Sequence, residues 1–486
     1  MTNDPGALQS LRWGIERETH RILGDGKLSR APHPAALAPP SFTMDFAESQ
    51  LELVTSPQPS LTAVLRELEG LTRAASAAVA PDLLWPFSIP PALPAAGEIR
   101  LARPGTGRAA RDAERYRSGL ALRYGEARQM ICGIHVNVSL GPDLLAHLER
   151  SAPLTREEAK ERSAGDAYYL RLVRNVVEDL ALLVALFGAS PVLGDAGPAF
   201  SFRNSPLGYA RSEYRPFFDL SSIAAHAEGI GRGLRAESAT FRKRGLVVDG
   251  RAIQLNGKVF QKEKEFYAPV RFRSLPTAGE SAVAALRRRG VAYLELRFFD
   301  VDPFSPSGVS ADALALLHLL LLEALSRVSV PRTVAEYGAI LARADEAALT
   351  DPFAPTSGVP LAAAISGRLA GLDPFAAALD AAPQAASGPA SPEAVAAVHP
   401  AASGPASPGV AASGPASPEA VAAAHPAASG RGRYGRALEK YRASAAEGRL
   451  STSARLYAAF RDSGLSWTEF GTRVAETNAK GGFDER

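Results

Sequence analysis

The chain has 486 residues, of which 46% are hydrophobic and 22% are charged, values that are ordinary for a globular protein with a large core. Its 54 basic and 51 acidic residues leave a formal net charge of +3. That balance excludes a basic protein that binds nucleic acid or an anionic membrane surface through its charge. The only cysteine, Cys132, excludes an intrachain disulfide and a cysteine-rich metal site, and it fits a reducing compartment. Residues 1–10 lack the pattern of a signal peptide, so we expect a cytoplasmic protein.

Hydrophobic periodicity predicts the secondary structure along the chain. The apolar stretch near residue 318 is short for a membrane span and contains His318 and Glu323, so we expect a buried helix there. In chain order we predict strand, turn and strand over 1–60, helices over 61–80 and 109–128, a strand over 132–140, one long helix over 166–187, loops and strands over 195–300, and the buried helix over 310–328.

The composition changes near residue 380. Residues 381–432 are almost entirely Ala, Ser, Gly and Pro and contain an imperfect repeat with few large apolar side chains. Such a segment cannot build a packed core. We therefore predict a main domain over 1–380, a disordered insert over 381–432, and a helical C-terminal tail over 433–486 that packs on the main domain. Long flexible insertions cost little stability, so we interpret the insert as a neutral surface expansion.

Four separate segments alternate apolar and polar residues, at least in part, as strands with one buried face do. Carboxylates that share a sheet face repel each other unless cations neutralise them, and Mg²⁺ prefers carboxylate oxygens while leaving room for phosphate. Each segment alone also fits a solvated strand or a simple ion pair, but together they indicate an enzyme that handles metal and phosphate. The polar positions are Glu16 and Glu18, Asp45 and Glu52, His135 and Asn137, and Glu295 and Arg297.

Other nucleotide and nucleophile motifs are missing from the sequence. It contains neither a P-loop nor a kinase-type glycine-rich loop followed by a Val-Ala-x-Lys strand. Cys132 stands three residues before His135, which places the two on opposite faces of a strand. We therefore expect Cys132 to be a buried, inert thiol, and a nucleotide to be held by metals on a sheet.

Six segments in the same order resemble the bacterial, proteobacterial-type glutamate–cysteine ligase family, over residues 10 to about 330. The resemblance implies an α+β, glutamine-synthetase-like fold, in which a curled antiparallel sheet forms a funnel with helices packed outside. It also implies that ATP and metal ions bind inside the funnel. The segments are 14–18, 43–52, 133–140, 265–271, 293–297 and 302–306.

The resemblance implies a two-step reaction in which ATP is a substrate. The γ-carboxylate of L-glutamate attacks ATP to give a γ-glutamyl phosphate, and the amine of L-cysteine then displaces phosphate. The product is γ-glutamylcysteine, in the first step of glutathione biosynthesis. The resemblance further implies two or three Mg²⁺ ions, with Mn²⁺ as an alternative, and a monomer whose substrates are small molecules.

Roles carry over to matching positions of this sequence. Arg297, together with Glu295, would serve the phosphoryl transfer, and Arg203 would bind the glutamate or its phosphate. The cysteine pocket would be lined by Tyr116, Tyr209 and Tyr267. The metal ions would be held by Glu16, Glu18, Asp45, Glu52, His135 and Glu295.

Departures from the family's pattern leave alternatives open. His20 replaces a family Leu on the face of Glu18, which makes it a further candidate metal ligand. Asn204, Pro206, Lys262 and Lys264 change the surroundings of the substrate positions, so a related ligase that joins glutamate to a different amine is the alternative function. A non-catalytic nucleotide-binding regulator on the same fold would have lost metal carboxylates, and none is lost.

Overall fold

The computed structural model describes residues 1–95, 97–103, 105–191, 201–208, 213–248, 251–349, 361–382, 432–446 and 452–480. Tyr209 and most of the predicted insert, 383–431, lie outside the described residues. The expectations for them therefore remain predictions.

Helices and strands form near most of the predicted positions. The region 195–300, predicted as loops and strands, also contains the helices Ile223–Arg235, Ala239–Lys243 and Ala282–Arg289, and the helix Pro142–Ser151 was not predicted. The strands are β1 (Leu11–Ile22), β2 (Phe42–Met44), β3 (Gln50–Val54), β4 (Leu83–Leu84), β5 (Ile134–Leu140), β6 (Val247–Val248), β7 (Arg251–Ala252), β8 (Val270–Arg273) and β9 (Tyr293–Phe299). The helices are α1 (Pro5–Leu8), α2 (Leu61–Val79), α3 (Arg108–Tyr124), α4 (Glu126–Gln129), α5 (Pro142–Ser151), α6 (Ala164–Glu178), α7 (Leu180–Phe187), α8 (Ile223–Arg235), α9 (Ala239–Lys243), α10 (Ala282–Arg289), α11 (Ala311–Ser326), α12 (Val334–Leu349), α13 (Leu361–Ala370), α14 (Asp373–Ala381), α15 (Arg433–Ala446), α16 (Thr452–Ser463) and α17 (Trp467–Ala479). Short 3-10 turns span Glu158–Lys160, Arg215–Phe217 and Glu263–Glu265.

One antiparallel sheet organises the molecule. Its strands run in the order β2-β3-β1-β5-β9-β8, and β4 pairs with the end of β1. In the described part of the chain this sheet is open rather than closed into a barrel, and β6 and β7 form a separate hairpin. The predicted α+β fold with an antiparallel sheet is confirmed.

One face of the sheet carries the apolar side chains of the alternating strands and packs against the hydrophobic core. Ile15 lies opposite Val136, and Val138 lies opposite Leu294, so their side chains share one face and are fully or almost fully buried. They belong to the same apolar cluster as residues of α2, α6 and α11. Each such side chain stabilises the fold by about 1.5–3 kcal/mol.

Helix α11 is the buried helix that the apolar stretch predicts. Ser310 caps its N-terminus, since its hydroxyl accepts a hydrogen bond from the Ala313 N–H at 3.2 Å. The helix contacts α2, α5, α6, α14 and α15. Among the residues that the structure describes, no helix is long and apolar enough to cross a membrane.

The single long helix predicted over 166–187 is wrong in one respect, because the structure divides it into α6 and α7 at Asp179. The Asp179 carboxylate accepts hydrogen bonds from Arg327 and Arg368, which approach from elsewhere in the chain. The local sequence pattern gives no information about these two arginines, which are distant in sequence. The break turns α7 towards β9 and the loop that follows it.

The C-terminal helices lie against the body of the molecule. Helix α15 packs on α11, α13 and α14, while α17 packs beside β4. Phe87 stacks with Trp467 and Phe470, and Trp85 contacts Trp467 edge to face, in a second apolar cluster. This cluster covers the end of β1 beyond the polar face of the sheet.

Candidate functional site

The strand register brings the predicted polar residues onto one face of the sheet. Glu18 lies opposite Glu52, and Glu16 lies opposite His135. Glu295 lies opposite Asn137 on one side and opposite Arg271 on the other. Directly opposed residues of an antiparallel pair project to the same side, so this face is polar across β3, β1, β5, β9 and β8.

The half of this face on β3, β1 and β5 is acidic. Glu16, Glu52 and His135 each place a potential ligand atom within 4.8 Å of the other two. His135 Nδ1 lies 3.1 Å from Glu16 Oε2, and His135 Nε2 lies 3.9 Å from Glu18 Oε1. The Gly133 N–H fixes Glu18 by donating to its Oε2 at 2.7 Å.

The acidic half is electrostatically strained. Burial and the charge of Asp45 raise the pKa of Glu18 to about 8, and burial together with the neighbouring carboxylates raises the pKa of Glu52 well above its usual range. Burial also raises the pKa of Asp45. Burial acts on Glu16 in the same direction, but hydrogen bonds with His135 and Asn137 outweigh it and lower the Glu16 pKa. Cations bound here would relieve the repulsion.

The donor set on this half fits Mg²⁺, which takes carboxylate and amide oxygens. Burial and the charge of Arg297 lower the pKa of His135 to about 4, so its imidazole is neutral at physiological pH and available as a ligand. Asn137 donates its amide N–H to Glu16 at 2.9 Å, and its buried Oδ1 has no hydrogen-bond partner among the described residues. An unsatisfied buried oxygen between carboxylates is consistent with a cation site.

The half of the face on β9 and β8 is basic. Arg297 donates a hydrogen bond to Glu295. Arg273 Nε lies 3.4 Å from Glu295 Oε2, and Arg271 Nη1 lies 3.7 Å from Glu295 Oε1. Burial would raise the pKa of Glu295, but these three guanidinium groups hold it well below its usual range.

Arg203 joins the two halves. Its guanidinium donates to the backbone carbonyl of Arg297 and to His135 Nε2, the latter at 3.0 Å. Arg203 and Arg297 also line a cavity of about 50 Å³ together with Tyr267 and Asn204. The cavity therefore lies next to two of the arginines predicted to contact substrate.

Two of the three predicted pocket tyrosines are in the described part of the chain. Tyr116, on α3, lies beneath the ammonium of Lys262, which is 5.3 Å from the ring centre. Burial and the nearby Tyr267 raise the pKa of Tyr116 well above its usual range, so its hydroxyl stays protonated. Tyr267 lines the cavity beside Arg203. Tyr209 is not described, and its role stays a prediction.

The hydrogen bonds of His20 do not suit a metal ligand, because both ring nitrogens face other partners. Its Nε2 lies 2.6 Å from the Met130 carbonyl, and its Nδ1 lies 3.4 Å from the Ser49 hydroxyl. Burial lowers its pKa to about 4. Near His20, β1 stops pairing with β3 and pairs with β4 instead, and the His20 side chain is buried there.

Cys132 is buried, as predicted, and Gln50 Nε2 lies 3.7 Å from its Sγ. Burial raises the pKa of its thiol well above the usual range. The raised pKa keeps the thiol protonated, and a protonated thiol is a poor nucleophile.

Sequence reasoning missed the contribution of β8. Arg271 and Arg273 flank Phe272, and the alternation in Val270–Arg273 is the same signal that marked the other polar positions. Both arginines reach the site because β8 pairs with β9. Arg271 is further held by hydrogen bonds to the backbone carbonyls of Phe266 and Lys264.

The chain is similar to proteins of one family. The family model described as glutamate-cysteine ligase matches residues 1–196 and 196–345. The glutamate–cysteine ligase of Clostridium acetobutylicum is 35% identical over 339 residues, which are 63% of this chain and 70% of that protein. The protein of the same name from Azotobacter vinelandii is 36% identical over 335 residues, which are 64% of this chain and 63% of that protein. The chain thus spans about two thirds of the length of these relatives.

Solved structures show the same fold. The crystal structure of the glutamate–cysteine ligase from Francisella tularensis in complex with AMP superimposes with a TM-score of 0.77. The alignment covers 97% of this chain and 88% of the Francisella chain, with 23% sequence identity. A bifunctional glutathione synthetase from Pasteurella multocida aligns with a TM-score of 0.70 and 23% identity, covering 98% of this chain and 53% of that chain.

Proposed function

This chain belongs to the glutamate–cysteine ligase family, and from that premise we propose that it joins the γ-carboxylate of L-glutamate to the amine of L-cysteine at the expense of ATP. The products are γ-glutamylcysteine, ADP and phosphate, in the first step of glutathione biosynthesis. A carboxylate is a poor electrophile, so the reaction proceeds through a γ-glutamyl phosphate.

One observation carries this proposal. A single sheet face presents carboxylates and a neutral histidine on β3, β1 and β5, and guanidinium groups on β9 and β8. Phosphoryl transfer from ATP needs cations around the phosphates and fixed positive charge at the transferring group. The acidic half of the face supplies positions for the cations, and the basic half supplies the fixed positive charge.

Mg²⁺ would be held by Glu16, Glu18, Asp45, Glu52, His135 and Glu295. When bound, it neutralises phosphate charge and stabilises the transferring group. Glu295 is the residue of this set that already lies among three arginines, so it stands at the boundary between the metal positions and the phosphate positions.

In the first step a γ-carboxylate oxygen of glutamate forms a bond to the γ-phosphorus of ATP, and the bond from that phosphorus to the β,γ-bridging oxygen breaks. Arg297 steadies the transferring phosphoryl group from β9. Arg203 binds the glutamate, because it lines a cavity together with Arg297 and its guanidinium contacts His135. The backbone carbonyl of Arg297 orients the Arg203 side chain.

In the second step the amine nitrogen of cysteine attacks the acyl carbon, phosphate leaves, and the nitrogen releases a proton. Tyr116, Tyr209 and Tyr267 line the acceptor pocket. A protonated tyrosine offers an apolar ring and a hydroxyl that both donates and accepts, which suits a small polar amino acid.

We extend the proposal to the organisation of the protein. It acts in the cytoplasm as a monomer, with its catalytic residues in the domain 1–380. Residues 381–432 form a passive insert, and residues 433–486 form a helical tail that supports the fold.

The test is phosphate release by the purified protein with ATP, Mg²⁺ and L-glutamate, with and without L-cysteine and beside a panel of other amines. Strong stimulation by L-cysteine, with γ-glutamylcysteine identified by mass, is the expected result. Stimulation by another amine alone would show that the acceptor is that amine and not L-cysteine. ATP binding without release in the presence of any amine would overturn the ligase function.

A further inference from the structure

A network of buried polar side chains connects α3 to the segment that precedes Tyr267. At its centre Arg123 Nη1 lies 3.1 Å from Glu265 Oε2, and neither side chain is exposed to solvent. The Tyr124 hydroxyl donates to Glu265 Oε2 at 3.1 Å, and Gln261 Nε2 donates to Glu265 Oε1 at 2.6 Å. Glu265 is therefore enclosed by protein groups and does not itself line the acceptor pocket.

One side of the network fixes helix α3. Arg123 lies on this helix two turns after Tyr116, a tyrosine of the acceptor pocket. The Arg123 guanidinium also donates to Gln254 Oε1 at 3.0 Å and to the carbonyls of Asn256 and Val259 at 2.5 and 3.3 Å. The end of α3 is thus bound to residues 254–259 as well as to Glu265.

The helix and this segment also meet closely at Gly119. A Cβ at this position would lie 2.1 Å from Gln261 Oε1, so only glycine permits the approach without a shift of that side chain. Gln261 Nε2 lies 3.5 Å from the Tyr116 carbonyl, and Gln261 Oε1 accepts a hydrogen bond from the Leu255 N–H at 2.9 Å. One amide side chain therefore joins the backbone of Tyr116 to Glu265.

The other side of the network fixes Tyr267. Glu265 closes a 3-10 turn two residues before this tyrosine. The carbonyls of Lys264 and Phe266, on either side of Glu265, accept hydrogen bonds from Arg271. Both the side chain and the backbone of the turn are held, so the position of Tyr267 depends on that of Glu265.

The two tyrosines lie near each other and near this carboxylate. Burial, then Tyr267 and then Glu265 raise the pKa of the Tyr116 hydroxyl. The tyrosines come from distant parts of the chain, α3 and the turn before β8, so their spacing depends on contacts between those two segments. The Arg123–Glu265 pair and the Gln261 amide are such contacts.

We propose that Glu265 is a positioning residue for the acceptor pocket. Through Arg123 and Gln261 it holds α3 and the turn together, and so it sets the spacing of the two tyrosines. This inference rests on the proposed function and adds a residue that controls acceptor binding without touching the acceptor. Loss of the network should weaken binding of the acceptor amino acid and leave unchanged the binding of ATP, which the sheet face holds.

The test compares the KM values for L-cysteine, L-glutamate and ATP in wild type, Glu265→Gln and Gly119→Ala. The first variant removes the negative charge of the buried pair, and the second presses a methyl group against Gln261 while it keeps the pair. The matched control is Glu158→Gln, because Glu158 and Arg171 form another buried pair, with 1% of each side chain exposed, that holds α6 instead of α3. Circular dichroism and thermal melts check that each variant is folded.

We expect Glu265→Gln to raise the KM for L-cysteine about tenfold or more, the usual effect of a lost hydrogen bond to a charged group, with the KM for ATP unchanged. Gly119→Ala should act in the same direction. Glu158→Gln should lower the melting temperature and change none of the three KM values, which a merely structural role of Glu265 would also predict for Glu265→Gln.

Three results would overturn the positioning role. They are a normal KM for L-cysteine in folded Glu265→Gln, an equal rise for all three substrates, and a selective rise for L-cysteine in Glu158→Gln. If Glu265→Gln does not fold, Gly119→Ala decides, and a wild-type KM for L-cysteine in that variant would overturn the role.

A binding measurement separates this inference from the proposed function. Calorimetry gives the dissociation constant of L-cysteine in the presence of Mg²⁺, L-glutamate and the non-hydrolysable ATP analogue AMPPNP, without turnover. If wild type binds L-cysteine more tightly than Glu265→Gln but forms no γ-glutamyl product, the ligase function fails and the positioning role stands. If wild type forms the product and Glu265→Gln binds L-cysteine normally, the role fails and the function stands. A wild type that binds no L-cysteine would also overturn the role.

Discussion

His135 Nδ1 lies 3.1 Å from Glu16 Oε2, directly across the β1–β5 pairing. The two side chains connect the acidic strands to the strands that carry the arginines. The histidine is neutral, because burial and the charge of Arg297 lower its pKa to about 4. Glu16 is ionised, since its hydrogen bonds with His135 and Asn137 outweigh the effect of burial on its pKa.

Glu16→Gln should abolish turnover and leave the fold nearly intact. The amide keeps the shape of the side chain but removes a negative charge that faces the proposed metal positions. We expect kcat to fall by at least about 10²-fold, the size typical of a lost electrostatic contact at a reacting centre. Steady-state ADP release and a thermal melt measure the two effects. Glu237→Gln, at an exposed ion pair, is the control and should retain full activity. Substantial activity in Glu16→Gln would exclude Glu16 from the site.

Mg²⁺ should raise the melting temperature of the wild-type protein and should do so less for Glu52→Gln. Glu52 is one of the three residues whose ligand atoms converge, and nearby carboxylates raise its pKa. A ligand at about 100 times its Kd stabilises the folded state by roughly 2.7 kcal/mol. The measurement is a thermal melt across a MgCl₂ titration, with matched ionic strength in NaCl. The same Mg²⁺ response in both proteins would remove Glu52 from the metal set.

Gly133→Ala should impair glutamate binding without unfolding the protein. A Cβ at this position would lie 2.1 Å from Arg203 Nε and 2.3 Å from its Cζ, so the guanidinium must move. The backbone N–H of residue 133 can still donate to Glu18. We expect the KM for glutamate to rise by about tenfold or more, as for a lost charged hydrogen bond.

Gly70→Ala is the matched control for that variant. Gly70 lies within α2, and a Cβ added there would meet nothing within 4 Å. It should keep the wild-type KM and gain up to about 1 kcal/mol of stability from helix propensity. A normal KM in Gly133→Ala would mean that Arg203 does not contact the glutamate.

Much of the polar face could be predicted from the sequence, because alternation with a period of two is a local signal. It places Glu16 and Glu18 on one side of a strand without knowledge of the partner strands. What it cannot give is the order of the strands, which depends on contacts distant in sequence. The meeting of Arg273 with Glu295 follows from the pairing of β8 with β9 and was therefore missed.

Two departures of the structure from the local sequence pattern have the same origin. His20 continues the alternation of β1, yet it bonds to Met130 because the strand changes partner from β3 to β4. The helix over 166–187 breaks at Asp179, whose carboxylate is bound by Arg327 and Arg368. In each case a tertiary contact overrides a local pattern.

The buried ion pair of Arg171 and Glu158 should make stability depend on pH in acid. Burial would raise the pKa of Glu158, but hydrogen bonds from Arg171, Thr155 and Ser329 lower it to about 2. The unfolded value is about 4.3. Since the folded pKa is the lower one, the stabilisation is complete above about pH 4.3 and is lost as the pH falls towards 2.

Glu158→Gln tests this pair. It leaves Arg171 buried without its counter-charge, which costs about 3–5 kcal/mol at pH 7. The difference from wild type should shrink between about pH 4.3 and 2, because wild-type Glu158 then becomes neutral as well. Urea unfolding at several pH values measures both effects. Glu157→Gln, at an exposed pair with Lys160, should change stability by at most about 1 kcal/mol. A difference that is constant with pH would contradict this account.

Deletion of residues 385–429 should leave the catalytic rate close to wild type. The chain on either side of the undescribed stretch returns to one place, because the Asp380 carboxylate accepts hydrogen bonds from the N–H groups of Tyr434 and Gly435 at 2.9 and 2.8 Å. The few residues that remain after the deletion therefore have only a short gap to span. Shortening a connection about tenfold lowers its loop-closure cost by roughly 2 kcal/mol, so stability should stay equal or rise slightly.

The control for the deletion is Asp380→Ala in the full-length chain. It removes the acceptor at the N-terminus of α15 and should lower stability by about 0.5–2 kcal/mol, as a lost helix cap does. Activity assays and thermal melts on both variants distinguish the effect of losing the Asp380 contact from the effect of losing residues 385–429. A large loss of activity in the deletion variant, with its melting temperature unchanged, would show that the insert takes part in function, since the fold would then be intact and only the segment missing.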